Sequence, residues 1–330
     1  MATYIGIKGV EIQTIAGDPA NPIEGQVWYN TTANTLKGYG KQGTGAWATT
    51  TSIPAGKEFQ GQAGTPTAFL VFGGTSPTVG TTFEFDGTNW TTVNSMQDGR
   101  NAMGGSGVQS AAWCAGGAYT NKTEEYDGTS WSSGNVRPFT AGYGITAGTQ
   151  TAGISGTGYA PTIPGDTDLM ATYDGTSWTS VAVYPASCYY TYGAGTQTAA
   201  IGTGGETAAG AAITSTNLFD GTAWSATTSL NTVRERGQAG GAQTACLITG
   251  GLIIPPYAAQ SLTEEYNGTS WAEVGDLTEA RKVCGYGFSM TAAATTGLIV
   301  GGGTTPTAPL YAVTYEEWTV PNATKTFTSS

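Results

Sequence analysis

Short apolar stretches alternate along the chain with glycine- and threonine-rich turns, and none is longer than a strand. Ala68-Phe-Leu-Val-Phe72 ends at Gly73-Gly74, and comparable stretches end at Gly116-Gly117, Gly204-Gly205, Gly250-Gly251 and Gly301-Gly302, with Gly156-Thr-Gly158 a degenerate copy. Apolar runs of about five residues bounded by glycine read as buried strands. A second marker keeps step. The motif aromatic-Asp-Gly-Thr-x-Trp returns at Phe85 to Trp90, Tyr126 to Trp131, Tyr173 to Trp178 and Phe219 to Trp224. A fifth copy, Tyr266 to Trp271, carries Asn267 in place of Asp, and a sixth, Tyr315-Glu-Glu-Trp318, has lost its turn. These tryptophans lie 41, 47, 46, 47 and 47 residues apart. Arg100, Arg137, Arg234 and Arg281 follow as a third marker, before strands such as Gly142-Tyr-Gly-Ile145.

One unit reads as four strands, placed in the third full copy near 140–146, 151–157, 168–173 and 177–183. Ala147-Gly-Thr-Gln150 turns between the first two, and Asp-Gly between the last two, a hairpin signal when both residues take φ > 0. The tryptophan then opens the outer strand, where it covers the gap to the neighbouring unit. Four strands per 40 to 50 residues is the period of a propeller blade. Gln26-Val-Trp-Tyr-Asn30, Thr35 to Tyr39 and Ala46-Trp47 supply three more strands, and Thr324-Lys-Thr-Phe-Thr328 sits where a missing first strand would begin. The expectation is an all-β propeller with seven blades favoured over six plus an N-terminal adaptor. Residues 1–24 form an arm, a candidate docking segment, and 25–330 the propeller, with blades centred on Trp47, Trp90, Trp131, Trp178, Trp224, Trp271 and Trp318.

Composition removes several functional classes. The 330 residues carry 12 Lys and Arg against 23 Asp and Glu, a net charge of −11, which disfavours a phosphate backbone or an anionic membrane as partner. The 17 Tyr, 9 Trp and 9 Phe argue against disorder despite 51 glycines. No apolar run approaches the length of a membrane span, and Met1-Ala-Thr-Tyr-Ile-Gly-Ile-Lys lacks the features of a signal peptide. The chain has no histidine, so His-based triads, dyads and metal sites are absent. Cys114, Cys188, Cys246 and Cys284 show no CxxC spacing and read as small buried fillers. No cofactor or metal is expected.

The glycine pair, the aromatic before an Asp-Gly turn, and the tryptophan at this spacing resemble kelch-type propellers, the fold of the galactose oxidase central domain. Gly193-Ala-Gly-Thr-Gln-Thr-Ala199 and Glu124-Glu-Tyr-Asp-Gly-Thr-Ser-Trp131 are similar to repeats of kelch-like virion proteins of tailed, notably marine, phages. Glu24-Gly-Gln-Val-Trp-Tyr-Asn-Thr-Thr32 likewise resembles segments that begin phage tail and appendage proteins. The resemblance covers about 24–320. It implies a virion structural protein made without a signal peptide, with other virion proteins and a host-surface glycan as partners, in a homo-oligomer. The oxidase chemistry of the fold needs histidine ligands and is not implied here.

Most repeated polar residues have a structural reading. Asp86, Asp127, Asp174, Asp220 and Asn267 are turn formers; as calcium ligands they would not converge on one ion. Trp90, Trp131, Trp178, Trp224 and Trp271 are blade-packing residues. Each arginine is expected to satisfy backbone carbonyls between blades. Glu124-Glu125 and Glu264-Glu265 are strand neighbours whose side chains point to opposite faces, which does not suit paired-carboxylate catalysis. The stretches that break the repeat are 158–168, 252–257 and 304–309. Tyr159, Asp166, Asp168 and Tyr257 are the candidate glycan or partner contacts, and Leu252, Ile253 and Ile254 are read as packing over the core, with a protein–protein contact as the alternative. The expected function is a non-enzymatic component of a phage particle, in capsid surface, fibre or tail. A glycan-binding lectin propeller is the alternative, and a polysaccharide-degrading enzyme a third.

Overall fold

The structure, a computed structural model, describes residues 12–75, 78–117, 120–160, 166–255, 257–282, 289–290, 296–300, 302 and 314–327. Every regular element among them is a β-strand. They fall into two compact units, 46–319, and 1–45 together with 320–330.

The larger unit holds six four-stranded antiparallel sheets in chain order. The first runs Gly61–Thr65, Ala68–Phe72, Thr82–Phe85 and Trp90–Val93. The third runs Ile145–Thr149, Ala152–Tyr159, Asp166–Tyr173 and Trp178–Val181. Each sheet's first strand lies beside the first strand of the next, and the sixth, Ser289–Met290, returns to Gly61–Thr65. The hydrophobic core sits between neighbouring sheets: Leu70 and Phe72 of the first pack with Cys114, Tyr126 and Trp131 of the second, and Ile154 of the third with Ala200 and Phe219 of the fourth. This is the architecture of a β-propeller.

The last sheet uses both ends of the unit. Ala46–Thr50 pairs with Tyr315–Thr319, and Trp47 stands opposite Trp318, ring centroids 5.5 Å apart. Phe85 stands opposite Trp90 and Tyr126 opposite Trp131 in the same way. Trp318 therefore occupies the aromatic position that precedes the turn in other sheets, and Trp47 the outer-strand position. The two tryptophans belong to one sheet, not to two. Residues 25–41 are not a seventh sheet of this unit. Val27–Asn30 and Thr35–Lys41 form a hairpin in the smaller unit, flanked by Gln13–Ile15 in parallel and Asn322–Phe327 antiparallel.

Residues 13–15 are thus paired within the stretch read as an arm. Asp18, also in that stretch, accepts from Trp28 Nε1 at 3.1 Å and Asn30 Nδ2 at 2.7 Å and pairs with Lys37 at 2.7 Å. Those donors, Lys37 first, pull its carboxyl down to about 2.

Two local details also differ from expectation. The first strand of the third sheet begins at Ile145 rather than near 140, because Gly142 and Tyr143 bond to neighbouring segments first. The Asp-Gly hairpins are four-residue loops: Phe85 pairs with Trp90 across residues 86–89, and among the loop residues only Gly87, at φ +93°, is left-handed. The Asp86 side chain replaces the second left-handed residue by holding the loop itself, as described next.

Candidate functional site

The repeated polar residues are engaged inside the ring. Asp86 Oδ1 accepts from the amides of Thr88 and Asn89 at 2.8 and 2.7 Å, and Asp127, Asp174 and Asp220 do the same in their loops. Those amide donors hold the four carboxyls below the usual carboxylate range. Asn267 makes the same two bonds, both at 2.9 Å, without a charge. The outer tryptophans reach the preceding sheet: Trp131 Nε1 donates to Thr82 Oγ1 at 3.0 Å and Trp178 Nε1 to Thr123 Oγ1 at 3.0 Å. Trp90 packs edge-on to Tyr315, and Trp224 to Tyr184.

The arginines do bond carbonyls, and they also meet a carboxylate. Arg100 donates to Gly116 O, Lys122 O and Glu124 Oε1; Arg234 to Leu262 O, Ile248 O and Glu264 Oε1; and Arg281 to Thr314 O and Glu316 Oε1. Each of these glutamates accepts two backbone amides of the segment leading into its own sheet, such as Gln97 and Asp98 at Glu124. Glu125, on the other face, accepts Tyr173 Oη at 2.7 Å. Arg137 differs: buried, it donates to Ser155 Oγ, Phe139 O and Ala141 O, and burial pulls its guanidinium down to about 9. Lys57 stands where Arg100 does in its sheet, donating to Gly73 O and Thr81 O, with the Phe83 ring 4.8 Å away in the place of Glu124.

A further repeated group was not singled out in the sequence. Gln109, Gln150, Gln197 and Gln243, in the inner hairpin turns, each donate through Nε2 to two carbonyls of the preceding sheet, at 2.7 to 3.1 Å. The Gly pairs sit at the sheet junctions. Gly73 and Gly74 have φ of +65° and +103°, Gly74 donates to Arg100 O, and a Cβ on Gly73 would lie 2.2 Å from Met103 Cε.

One repeat position varies in residue type from sheet to sheet. Twelve residues after each outer tryptophan stands a residue just before the inner strand: Phe59, Ala102, Tyr143, Tyr190 and Arg236. All five have positive φ, between 53° and 63°. Their backbones form a chain around the ring: Ala102 N donates to Phe59 O at 2.8 Å, Tyr143 N to Ala102 O at 2.9 Å, and Tyr190 N to Tyr143 O at 2.7 Å. Because Ala102 is small, Phe59 and Tyr143 meet edge to face at 5.2 Å although a sheet lies between theirs. Tyr143 meets Tyr190 at 4.9 Å, and the Arg236 guanidinium lies 4.2 Å from the Tyr190 ring centroid. Constant spacing from the tryptophan was the signal in the sequence. It was hidden because the residue type changes from sheet to sheet.

The preceding position adds charge to this rim. Glu58, Tyr189, Glu235 and Lys282 occupy it, and each of Glu58, Tyr189 and Glu235 bridges to a residue after a glycine pair, namely Thr75, Glu206 and Leu252. Fully buried Glu235 lies 2.8 Å from Arg236 Nε, with Glu206 Oε2 at 3.8 Å from Nη2. Burial, then the neighbouring Glu206, pushes Glu235 up to about 8. Burial pushes Glu58 up to about 7, against the pull of Lys282 and Arg236. The rim thus has an aromatic side and a charged side. At the other end of the inner strands a cavity of 170 Å³ is lined by small residues, among them Ala63, Ser106, Ala147, Ala194 and Gly240.

Of the residues picked from sequence, Tyr159 joins this rim. Bridged to Gly142, it is 39% exposed, with its ring 6.3 Å from that of Tyr189, which in turn meets Tyr190 in a tilted pair at 4.6 Å. Asp166 is its cross-strand partner. Asp168 is half-buried, its carbonyl accepting from Tyr184 N at 2.8 Å. Tyr257, 61% exposed, belongs to the fifth sheet's loop, and no contact among the described residues joins it to Tyr159. Leu252 packs, being 1% exposed and paired with Ala259. Residues 161–165 and 303–313, and Cys284, lie outside the described residues. Cys114, Cys188 and Cys246 are buried thiols.

No family model matches the chain, and no curated protein does. Among solved structures 395 chains match. One of them is the structure of YjhT, a propeller, at a TM-score of 0.66 and 12% identity over 78% of this chain and 93% of that one. At that identity the likeness carries the fold.

Proposed function

We propose that this chain is a non-enzymatic, rigid propeller component of a phage particle, and that it meets the host surface with the rim of Phe59, Tyr143, Tyr159, Tyr189, Tyr190 and Arg236. One observation carries the reading. The recurring Asp, Trp, Arg, Glu and Gln residues hold the ring together, while the positions whose identity varies between sheets converge on that rim. Rigid scaffolds concentrate function in such places. Ala46–Thr50 completes the last blade as its fourth strand, so that blade matches the other five, which suits a rigid part exposed outside a cell. The particle setting comes from the likeness of the repeats to kelch-like virion proteins.

Immunogold electron microscopy of gradient-purified particles from cultures that make this chain tests the proposal. Label on capsid, fibre or tail is the expected result. Label confined to the free-protein fraction overturns it, and so does release of reducing sugar from host polysaccharide by the purified chain.

A further inference from the structure

The aromatic and charged halves of the rim define what it can hold. Phe59, Tyr143 and Tyr189 are half-buried, so their rings keep one part open to solvent, and Tyr159 extends the row outward. Such a row offers flat apolar surface with phenol hydroxyls at its edges. Beside it Arg236 presents a guanidinium that lies 2.8 Å from a Glu235 carboxyl oxygen and 3.8 Å from Glu206. An anionic ligand would have to compete with both carboxyls for that guanidinium. A cationic ligand would compete with Arg236 and Lys282 for Glu58, Glu206 and Glu235. The three carboxyls and two cations nearly cancel, which leaves polar but almost uncharged edges next to stacking faces.

We infer that the rim is a binding site for an uncharged pyranose unit of a surface polysaccharide, stacked on the half-open ring of Tyr143 and hydrogen-bonded by Glu58 and Arg236. This deepens the proposed function, resting on it only for the identity of the surface. A pyranose has one apolar face and a perimeter of hydroxyls that both donate and accept. Glu58, pushed up to about 7 by its burial, is partly protonated near neutral pH and matches that dual character. Few placed polar groups beside aromatic walls is the common composition of small-ligand sites. The cavity at the opposite end of the inner strands lacks any aromatic wall among its lining residues, so recognition of a sugar face belongs to the rim.

The repeat itself supplies a safe variant. Ala102 occupies the same position as Tyr143 with nearly the same φ, +59° against +63°. Tyr143→Ala is therefore a residue this backbone already accepts one sheet away. Arg236→Lys keeps the charge and removes the planar fork.

The full chain is applied to a printed array of neutral hexose, uronate, sialylated and amino-sugar oligosaccharides. The strongest neutral binder is then titrated calorimetrically against wild type, Tyr143→Ala and Arg236→Lys, each checked for a native far-UV spectrum. Binding confined to neutral sugars is expected, with Kd weakened about tenfold or more in Tyr143→Ala, the scale of one lost stacking face, and weakened also in Arg236→Lys. Preference for charged sugars overturns the inference. Neutral binding that both variants leave intact overturns the site. Absence of any sugar binding by a chain that still labels particles overturns the inference alone and leaves the particle role standing.

Discussion

The rings of Tyr143 and Tyr190 meet edge to face with centroids 4.9 Å apart, and the Tyr190 amide donates to the Tyr143 carbonyl at 2.7 Å. The two residues are 47 apart in sequence, one blade period. Their backbones therefore do the same task in successive sheets, holding a left-handed residue at the inner strand's start. Their side chains are freed from that task. A repeat that fixes its backbone through Gly, Asp, Arg and Gln can change these side chains blade by blade without loosening the ring.

The glutamine staples give a first prediction. Gln150 Nε2 donates to Ala112 O and Tyr126 O at 3.0 and 3.1 Å. Gln150→Ala leaves two carbonyls with one donor fewer each, and a cost of about 1–3 kcal/mol follows from two lost bonds. Urea denaturation should show a lower midpoint with an unchanged slope. An unshifted midpoint would mean that water or a neighbour replaces the staple.

A second prediction concerns the pair Arg234–Glu264, 3.0 Å apart and almost wholly buried. Removing one partner leaves an uncompensated buried charge, at about 3–5 kcal/mol. Glu264→Gln and Arg234→Met should each destabilise strongly in thermal melts. The double variant should be less damaging than the sum of the two. Additive losses would show that Glu264 acts mainly through the Asn231 and Thr232 amides it caps.

The spacing of Trp90, Trp131, Trp178, Trp224 and Trp271 was enough to read the fold, because each blade must bury the same aromatic against its neighbour. The ends were misread for a physical reason. Trp318 falls at the repeat interval, yet the chain after its strand runs on into Asn322–Phe327, which pairs with Thr35–Lys41, and the outer strand arrives from residues 46–50. Sequence order cannot show that a strand comes from the other terminus. The candidate site was legible only at Tyr159, which ends the strand Ala152–Tyr159 where the sequence departs from the repeat. Tyr143, Tyr190 and Arg236 lie inside the regular repeat and differ in chemistry, so periodicity by residue type passed over them. Glu206 and Glu235 come together only through pairing of segments across a junction.

The turn aspartates give a prediction on acid stability. Their carboxyls lie below the ordinary range when folded, so the stability they add is present above the unfolded value near pH 4 and is lost as pH falls through the folded one. Asn267 shows that an amide oxygen fits the same two donors. Asp127→Asn should leave the denaturation midpoint at pH 7 nearly unchanged and reduce the drop between pH 5 and pH 2. Asp127→Ala should lower the midpoint at pH 7. Equal behaviour of the two variants at pH 7 would dismiss the loop bonds as a source of stability.

Closure of the ring depends on Trp47, which is 6% exposed, faces Trp318 and donates from Nε1 to Thr263 Oγ1 at 3.0 Å. Trp47→Ala removes a buried aromatic from the sheet that joins the two ends of the larger unit, at about 3–5 kcal/mol. Limited proteolysis should then cut first around residues 46–52. Cleavage that starts elsewhere would place the weakest junction at another blade.

Glu235 sets the last prediction, on the alkaline side. Its carboxyl is raised to about 8 by burial and by Glu206, whereas in the unfolded chain it titrates near 4.3. Between those values the folded state holds a proton that the unfolded state has released, so stability falls as pH rises from about 4.5 to 8. Glu58, raised to about 7, acts in the same direction over a narrower window. Glu235→Gln keeps the shape and removes the titration. Its melting temperature should fall less than that of wild type between pH 5 and pH 9, with the two curves drawing apart mostly above pH 6. Arg236 sits between the two carboxyls and over Tyr190, so the same substitution should leave the Tyr190 environment native in near-UV circular dichroism at pH 6. Parallel melting curves for the two proteins across this range would show that Glu235 is already ionised when folded, with Arg236 holding its charge.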